Sequence, residues 1–281
     1  MKILLLAVAA ACAWGQTPGL DQIMSRVALN QAKSQDLRES YVYRQTQVLR
    51  LVRVSGKVAR EEQREYGIAP KARGLERKLI RFEGRYQSGG HYVSYGKPGY
   101  RYKGVDIDGE LLDSMAEDMM HDRGSRDGIA PDLFPLTYHQ QLKYNFTLEA
   151  TETYRGRRVY RVRFTPKRKP ALDDLDGGGG IWNGEALIDA GEYQPMRVTT
   201  ELAWKAPLAV KTLLGTNVHG VGFAVSYEKV ADGVWFPVSY GGEFRVRAAF
   251  FYERTISVAM TNADFRHTDV ASNVTYQLED K

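Results

Sequence analysis

The stretch DGGGGIWNG at 176–184 is the first place to look for chemistry, because backbone amides without side chains can cradle a phosphate. A phosphate loop needs its glycines followed by Lys and Ser or Thr at the start of a helix. Here IWNGEALID follows, and its Ile181, Leu187 and Ile188 suit a strand. No βαβ pattern surrounds the run, so a dinucleotide fingerprint fails as well. The glycines read as a loop leading into a strand, whose one functional option is mobility over the mouth of a cavity. Two acidic stretches, DIDGE at 106–110 and DDLDG at 173–177, suggest calcium. A calcium loop needs Gly sixth and Glu twelfth, whereas Gly109 is fourth and the twelfth residue, Glu117, falls inside a predicted helix. Those carboxylates suit a helix start instead. His91, His121, His139, His219 and His267 have no zinc spacing, and no GxSxG elbow occurs. The expectation is a protein with no catalytic residue, no cofactor and no metal.

Three basic clusters remain, at 71–81, 155–158 and 167–169. They read either as solvated strand faces or as patches that attract anionic lipid headgroups or lipopolysaccharide phosphates. The first residues, MKILLLAVAAACAWGQ, set the compartment. Lys2, the apolar run Ile3–Ala11 and the small residues around Trp14 make residues 1–15 a signal peptide, too short to span a membrane. The expectation is therefore export, to the periplasm if the cell is Gram-negative, and no nucleic acid among the partners of the net charge of +5. Cys12 is the only cysteine, so no intramolecular disulfide forms. Cys12 also offers a lipid-anchor site in AAAC, although Ala9 stands where a larger aliphatic residue is usual.

The elements that would position any site follow from periodicity. Residues 20–40 predict a helix with Leu20, Ile23, Met24, Val27 and Leu37 on its apolar stripe. Strands are predicted at 41–54, 58–66, 76–86, 91–96, 157–164, 196–204, 223–230 and 244–252. The arm at 58–66, VAREEQREY, is so charged that its hairpin is expected to protrude or to form an edge. Between the strands lies a helical insert at about 106–144. In it Ile107, Leu111, Met115 and Met119 share a face, and a second helix is expected at 136–144. No composition shift divides residues 16–281, which read as a single mainly β (α+β) domain with an antiparallel sheet of about ten strands.

Two segments look familiar together: GEALIDAGEYQPMRV at 184–198 and YEKVADGVWFPVSY at 227–240. Their succession resembles the LolA/LolB-like superfamily of exported bacterial proteins. The resemblance implies an incomplete antiparallel barrel around a helical plug, with an apolar cavity for acyl chains. It therefore implies binding of a lipid, a lipoprotein acyl chain or another hydrophobic ligand, with a role in lipoprotein sorting, and it supplies no ligand-gripping motif. Strand alternation nominates Tyr160, Val162, Phe164, Leu202, Trp204, Phe244, Val246 and Phe250 as cavity lining, with Met115 and Met119 from the insert across the concave face. The insert either leaves a cavity or fills the core. The rival reading is an envelope protein-interaction or stress-sensing module with no cavity, contacting an envelope protein partner through the charged hairpin.

Overall fold

The structure, a computed structural model, describes residues 18–71, 75–120, 136–169, 180–203, 216–219, 222–248 and 252–268. The leader reading of residues 1–15, Cys12 included, lies outside the described residues, as do His121, Gly177–Gly179, Trp204 and Phe250.

Helix α1 (Leu20–Arg38) opens the fold. Strands β1 (Tyr41–Val52), β2 (Val58–Pro70), β3 (Leu75–Ser88) and β4 (His91–Tyr95) follow as a meander. Helices α2 (Ile107–Met120) and α3 (Tyr138–Gln141) come next. The chain then forms β5 (Tyr144–Tyr154), β6 (Arg157–Pro166), β7 (Trp182–Asp189) and β8 (Pro195–Leu202). It ends in β9 (Thr216–His219), β10 (Gly222–Ala231), β11 (Val234–Ala248) and β12 (Tyr252–His267). Eleven of these strands form one open antiparallel sheet in the order β4-β3-β2-β1-β12-β11-β10-β8-β7-β6-β5, and β9 pairs with β11 beside that path. The expected mainly β half-barrel is present. The Asp232-Gly233 turn works as its sequence suggests, with Gly233 at φ +71° between β10 and β11.

Both long helices lie on one face of the sheet, and β1 shows how. Its buried side carries Tyr41, Tyr43, Gln45, Gln47, Leu49 and Leu51. The two tyrosines join a cluster with Ile68 and Phe236, against which Leu37 of α1 packs. The two leucines join a second cluster with Leu112 and Ala116 of α2. The two glutamines fill the gap between the helices. Ile23, Met24 and Val27 of α1 close a third cluster over β6, β7, β8 and β10. Each such aliphatic side chain contributes about 1.5–3 kcal/mol by leaving water. Buried amides fix the helix in position. Gln31 Nε2 donates to Gln194 Oε1 at 2.6 Å, and Gln194 Nε2 donates to Ser34 Oγ at 2.7 Å.

Three expectations need correction. The charged arm at 58–66 neither protrudes nor forms an edge, because β2 pairs with both β1 and β3. Its Arg60, Glu62 and Arg64 point inward and are buried, since they neutralise one another and pair with Asp106, just before α2, and Asp113 within it. Residues 244–252 are not one strand: Ala248 of β11 pairs with Tyr252 of β12, so the chain reverses between them. The second helix of the insert is a single turn, and β5 begins where that helix was expected to end.

Candidate functional site

The predicted lining residues fall into two places. Tyr160, Val162 and Phe164 are buried, and Leu202 partly so, in the cluster beneath α1. Val246 is buried, and Met115 and Phe244 partly so, in the cluster beneath α2. Met119 belongs to α2, but its side chain is outside the described ones. The two sets belong to separate apolar clusters on different strands, and along β1 a polar row of Gln45, Gln47 and Asn262 divides the second of them from the cluster of Tyr41 and Tyr43. Gln47 Nε2 donates to Gln45 Oε1, and Gln45 Nε2 donates to Asn262 Oδ1, both at 3.1 Å. Asn262 Nδ2 donates to the Pro237 carbonyl at 2.8 Å. Gln47 Oε1, at the end of the row next to Leu49, is buried and accepts no hydrogen bond from the described residues.

The cluster beneath α2 is an apolar patch of the sheet packed against a helical cover, and that patch is called the trough below. Its floor is Leu49, Leu51, Ala59, Val246, Ile256 and Val258, from four adjacent strands. Its cover is the apolar face of α2, where Leu112 and Ala116 are fully buried. The charges on β2 and β12 bind α2 to the sheet. Asp106, at the start of the helix, accepts from Arg60 Nη1 at 2.6 Å and from the amide of Gly109 at 3.0 Å. Asp108 accepts from both Arg254 Nε at 3.0 Å and Nη2 at 3.1 Å, and from the Tyr252 hydroxyl at 2.8 Å. Asp113 accepts from Arg64 at 2.8 Å and Arg101 at 2.6 Å. These bonds join the first two turns of α2 to three arginines of the sheet and one of the preceding loop.

Electrostatics follow from this geometry. Burial alone would raise the Asp113 carboxyl, but Arg101 and Arg64 outweigh it and hold the group below its ordinary value. Burial would lower Arg60, but Tyr95, Asp106 and Glu62 raise it on balance. Burial, then Asp108, pushes the Tyr252 hydroxyl up, so it stays a donor. Burial, then Glu62, does the same to Tyr95. The Tyr95 hydroxyl accepts from Arg60 Nε at 2.7 Å while donating to Glu62.

Tyr95 reaches Glu62 only because β3 has no side chain beneath its ring. A Cβ at Gly84 would stand 2.3 Å from two atoms of that ring. Gly184 of β7 plays the same part for Phe164, where a Cβ would lie 2.4 Å from the ring and 2.2 Å from the Thr199 carbonyl oxygen. Such glycine–aromatic pairs let curved strands approach closely. Among the described residues, no cluster of three or more His, Cys, Asp or Glu is arranged to hold a metal.

No family model matches this chain, and no curated protein matches it. Solved structures of similar chain path exist. A LolA superfamily protein from Nitrosomonas europaea shares 9% identity, covering 92% of this chain and 97% of that one, with a TM-score of 0.34. A DUF1329 family protein from Desulfovibrio piger shares 13% identity over 92% of this chain and 96% of its own, at a TM-score of 0.37. A MucA/MucB complex from Pseudomonas aeruginosa matches at 9% identity over 87% of this chain and 99% of that one, at a TM-score of 0.26. The superfamily that the two hairpin motifs resemble is thus among these distant likenesses. No residue role is carried over from them.

Sequence pattern did not reveal the ion pairs that hold α2 to the sheet. Asp106, Asp108 and Asp113 look like ordinary helix-start acids, and their partners Arg60, Arg64 and Arg254 lie on strands far along the chain. The available signal was the alternation itself: Arg60, Glu62 and Arg64 are spaced by two, in phase with Tyr66 and Ile68.

Proposed function

We propose that this chain is an exported, non-catalytic binding protein of the cell envelope that takes an acyl chain or similar apolar ligand into the trough beneath α2. The observation that carries the reading is the construction of that trough. An apolar floor spans four strands, and its cover is fastened by ion pairs at one end of the helix rather than by continuation of the sheet. A helix held this way can be lifted by breaking a few charged contacts, and a ligand's apolar surface then replaces that of α2. Gln47 supports an amphiphilic ligand: its orphan acceptor lies at the inner end of the trough, where a hydroxyl or amide donor would satisfy it. A sorting role for lipoproteins would be a special case of this chemistry.

Uptake of 11-(dansylamino)undecanoic acid, followed by fluorescence, tests the reading. Asp113→Asn frees Arg64 and Arg101 from the helix and should speed uptake about tenfold or more, since bonds to charged groups contribute about 1.5–3 kcal/mol each. Ile256→Trp should fill the floor and abolish uptake while the circular dichroism stays that of the parent. Absence of uptake by both the parent and Asp113→Asn would overturn the proposal.

A further inference from the structure

The two ends of the sheet differ in kind. At one end β1 leaves, β2 and β12 begin, and α2 starts; antiparallel pairing puts the starts of β5 and β7 and the ends of β6 and β8 there too. Ten large apolar side chains are exposed among the described residues, and seven of them lie at this α2 end. Val54, Tyr92, Tyr102, Val105 and Ile107 surround the start of α2, with Val54 77% and Val105 69% exposed. Tyr138 and Leu142 project from α3, just before β5. Exposed cations are interleaved with them: Arg53 and Lys57 in the β1–β2 turn, Lys97 and Lys103 in the loop before α2, and Lys167 and Lys169 after β6. Among the described residues here, Asp106, Asp108 and Asp113 each bind an arginine and Glu253 faces Arg245, while Glu201 at the end of β8 is exposed. Glu110 is exposed.

The opposite end has the same residue types in a different arrangement. Arg155 pairs with Glu228, Arg157 with Asp189 and Glu192, Lys229 with Glu192 and Asp232, and Lys71 with Glu76. Two of the three basic clusters noted in the sequence are thus wholly or partly spent on ion pairs, while the third, at 167–169, lies at the α2 end. Between the β1–β2 turn and β12, the α2 end also holds a groove of about 330 Å3 lined by Arg53, Arg247 and Arg254, with Tyr252 and Glu253. Helix α1 begins at this end, because Gln141 of α3 bonds the Met24 carbonyl.

We infer that the α2 end docks on an anionic lipid surface, with the exposed valines, isoleucine and tyrosines at headgroup depth and the cations against lipid phosphates. Amphipathic tyrosines and apolar tips suit the interface, and each nearby lysine strengthens attraction to anionic lipid. In the groove Arg53 and Arg247 are offered to one headgroup phosphate, while Arg254 stays bound to Asp108. This inference does not need a ligand in the trough.

Sedimentation of the full chain with phosphatidylcholine vesicles, with and without phosphatidylglycerol, tests it. The parent should bind the anionic vesicles, and added salt should weaken that binding. Lys97→Gln with Lys103→Gln should weaken it about 25-fold, taking about fivefold for each cation. Val54→Asp with Val105→Asp should also weaken it. Lys71→Gln with Arg266→Gln, at the opposite end, should stay within about twofold of the parent, a margin small against one cation's contribution. Parent and variants share one N-terminus, so any affinity of that segment cancels. Equal losses at the two ends, or binding indifferent to phosphatidylglycerol and to every variant, would overturn the inference. Ile256→Trp, which fills the trough, should bind vesicles as the parent does, so this inference and the ligand reading fail separately.

Discussion

Gly84→Ala is the sharpest probe of how this sheet holds its charged interior. The added Cβ would sit 2.3 Å from Cε2 and Cζ of Tyr95, more than 1 Å inside ordinary contact. Tyr95 cannot simply retreat, because Tyr100 stacks on it at 4.8 Å and Phe82 lies 5.7 Å away. Moving the ring also draws its hydroxyl from Glu62 and Arg60, and Tyr100, whose carbonyl accepts from Arg60 Nη2, moves with it. Losing a hydroxyl bond to a buried charge costs about 1.5–3 kcal/mol, and forcing extra volume into a packed site costs about 1–3 kcal/mol. The reduced freedom of the unfolded chain returns about 0.4–1 kcal/mol. The net expectation is a loss of about 2–5 kcal/mol, read as a lower urea midpoint at unchanged slope. In the Tyr95→Ala background the same Gly84→Ala change should cost at least about 1 kcal/mol less, since the colliding ring is gone. Full additivity of the two changes, or a Gly84→Ala midpoint equal to the parent's, would refute the argument.

Gly184→Ala should be worse, because one of its obstacles is the Thr199 carbonyl oxygen, which the ladder holds in place; we expect a loss of about 4 kcal/mol or more, visible as loss of soluble protein. Gln194→Ala should cost about 2–4 kcal/mol in urea unfolding, because it orphans the buried Gln31 amide and Ser34 hydroxyl. Acid should act through three carboxylates held below their ordinary values. Burial opposes the shift in each, but bonds from arginine outweigh it at Asp113 and Asp189, as do bonds from Trp235, Arg157 and Lys229 at Glu192. A depressed folded-state value adds stability that is present above the unfolded value, near 4, and is lost as pH falls through the folded one. From these three groups, then, the urea midpoint should hold from about pH 7 to 5 and fall steeply below about pH 4. A loss already complete by pH 5 would contradict this assignment.

Elements with simple periodicity were legible. The stripe Ile23, Met24 and Val27 placed α1 within two residues, and the alternation of Tyr160, Val162 and Phe164 placed β6 and its inward face. The failures share a cause. Hydropathy reads Arg60, Glu62 and Arg64 as exposed, because a single chain segment does not show which opposite charges will face it. Asp106 and Asp113 come from another element, and together they turn three costly burials into a satisfied network. The reversal between β11 and β12 escaped for a related reason: FRVRAAFFY contains no glycine, proline or asparagine to mark a turn. The trough was half legible. Phe244, Val246 and Met115 were named from pattern, but Leu49, Ile256 and Val258 lie on strands brought beside them only by tertiary pairing.

The pairing of β1 with β12 bears on how the chain acquires its shape. Tyr41 is opposite His267, so the middle of the sheet joins the first strand to the last one described. Neighbouring hairpins on either side can form early, since their partners are close in sequence. The seam between them must wait until more than two hundred residues have emerged, and closing so long a loop is slow. On the export proposed above, in which the chain would cross a membrane in extended form, the delay is useful: the sheet stays open until β12 has followed, and the trough is completed only then.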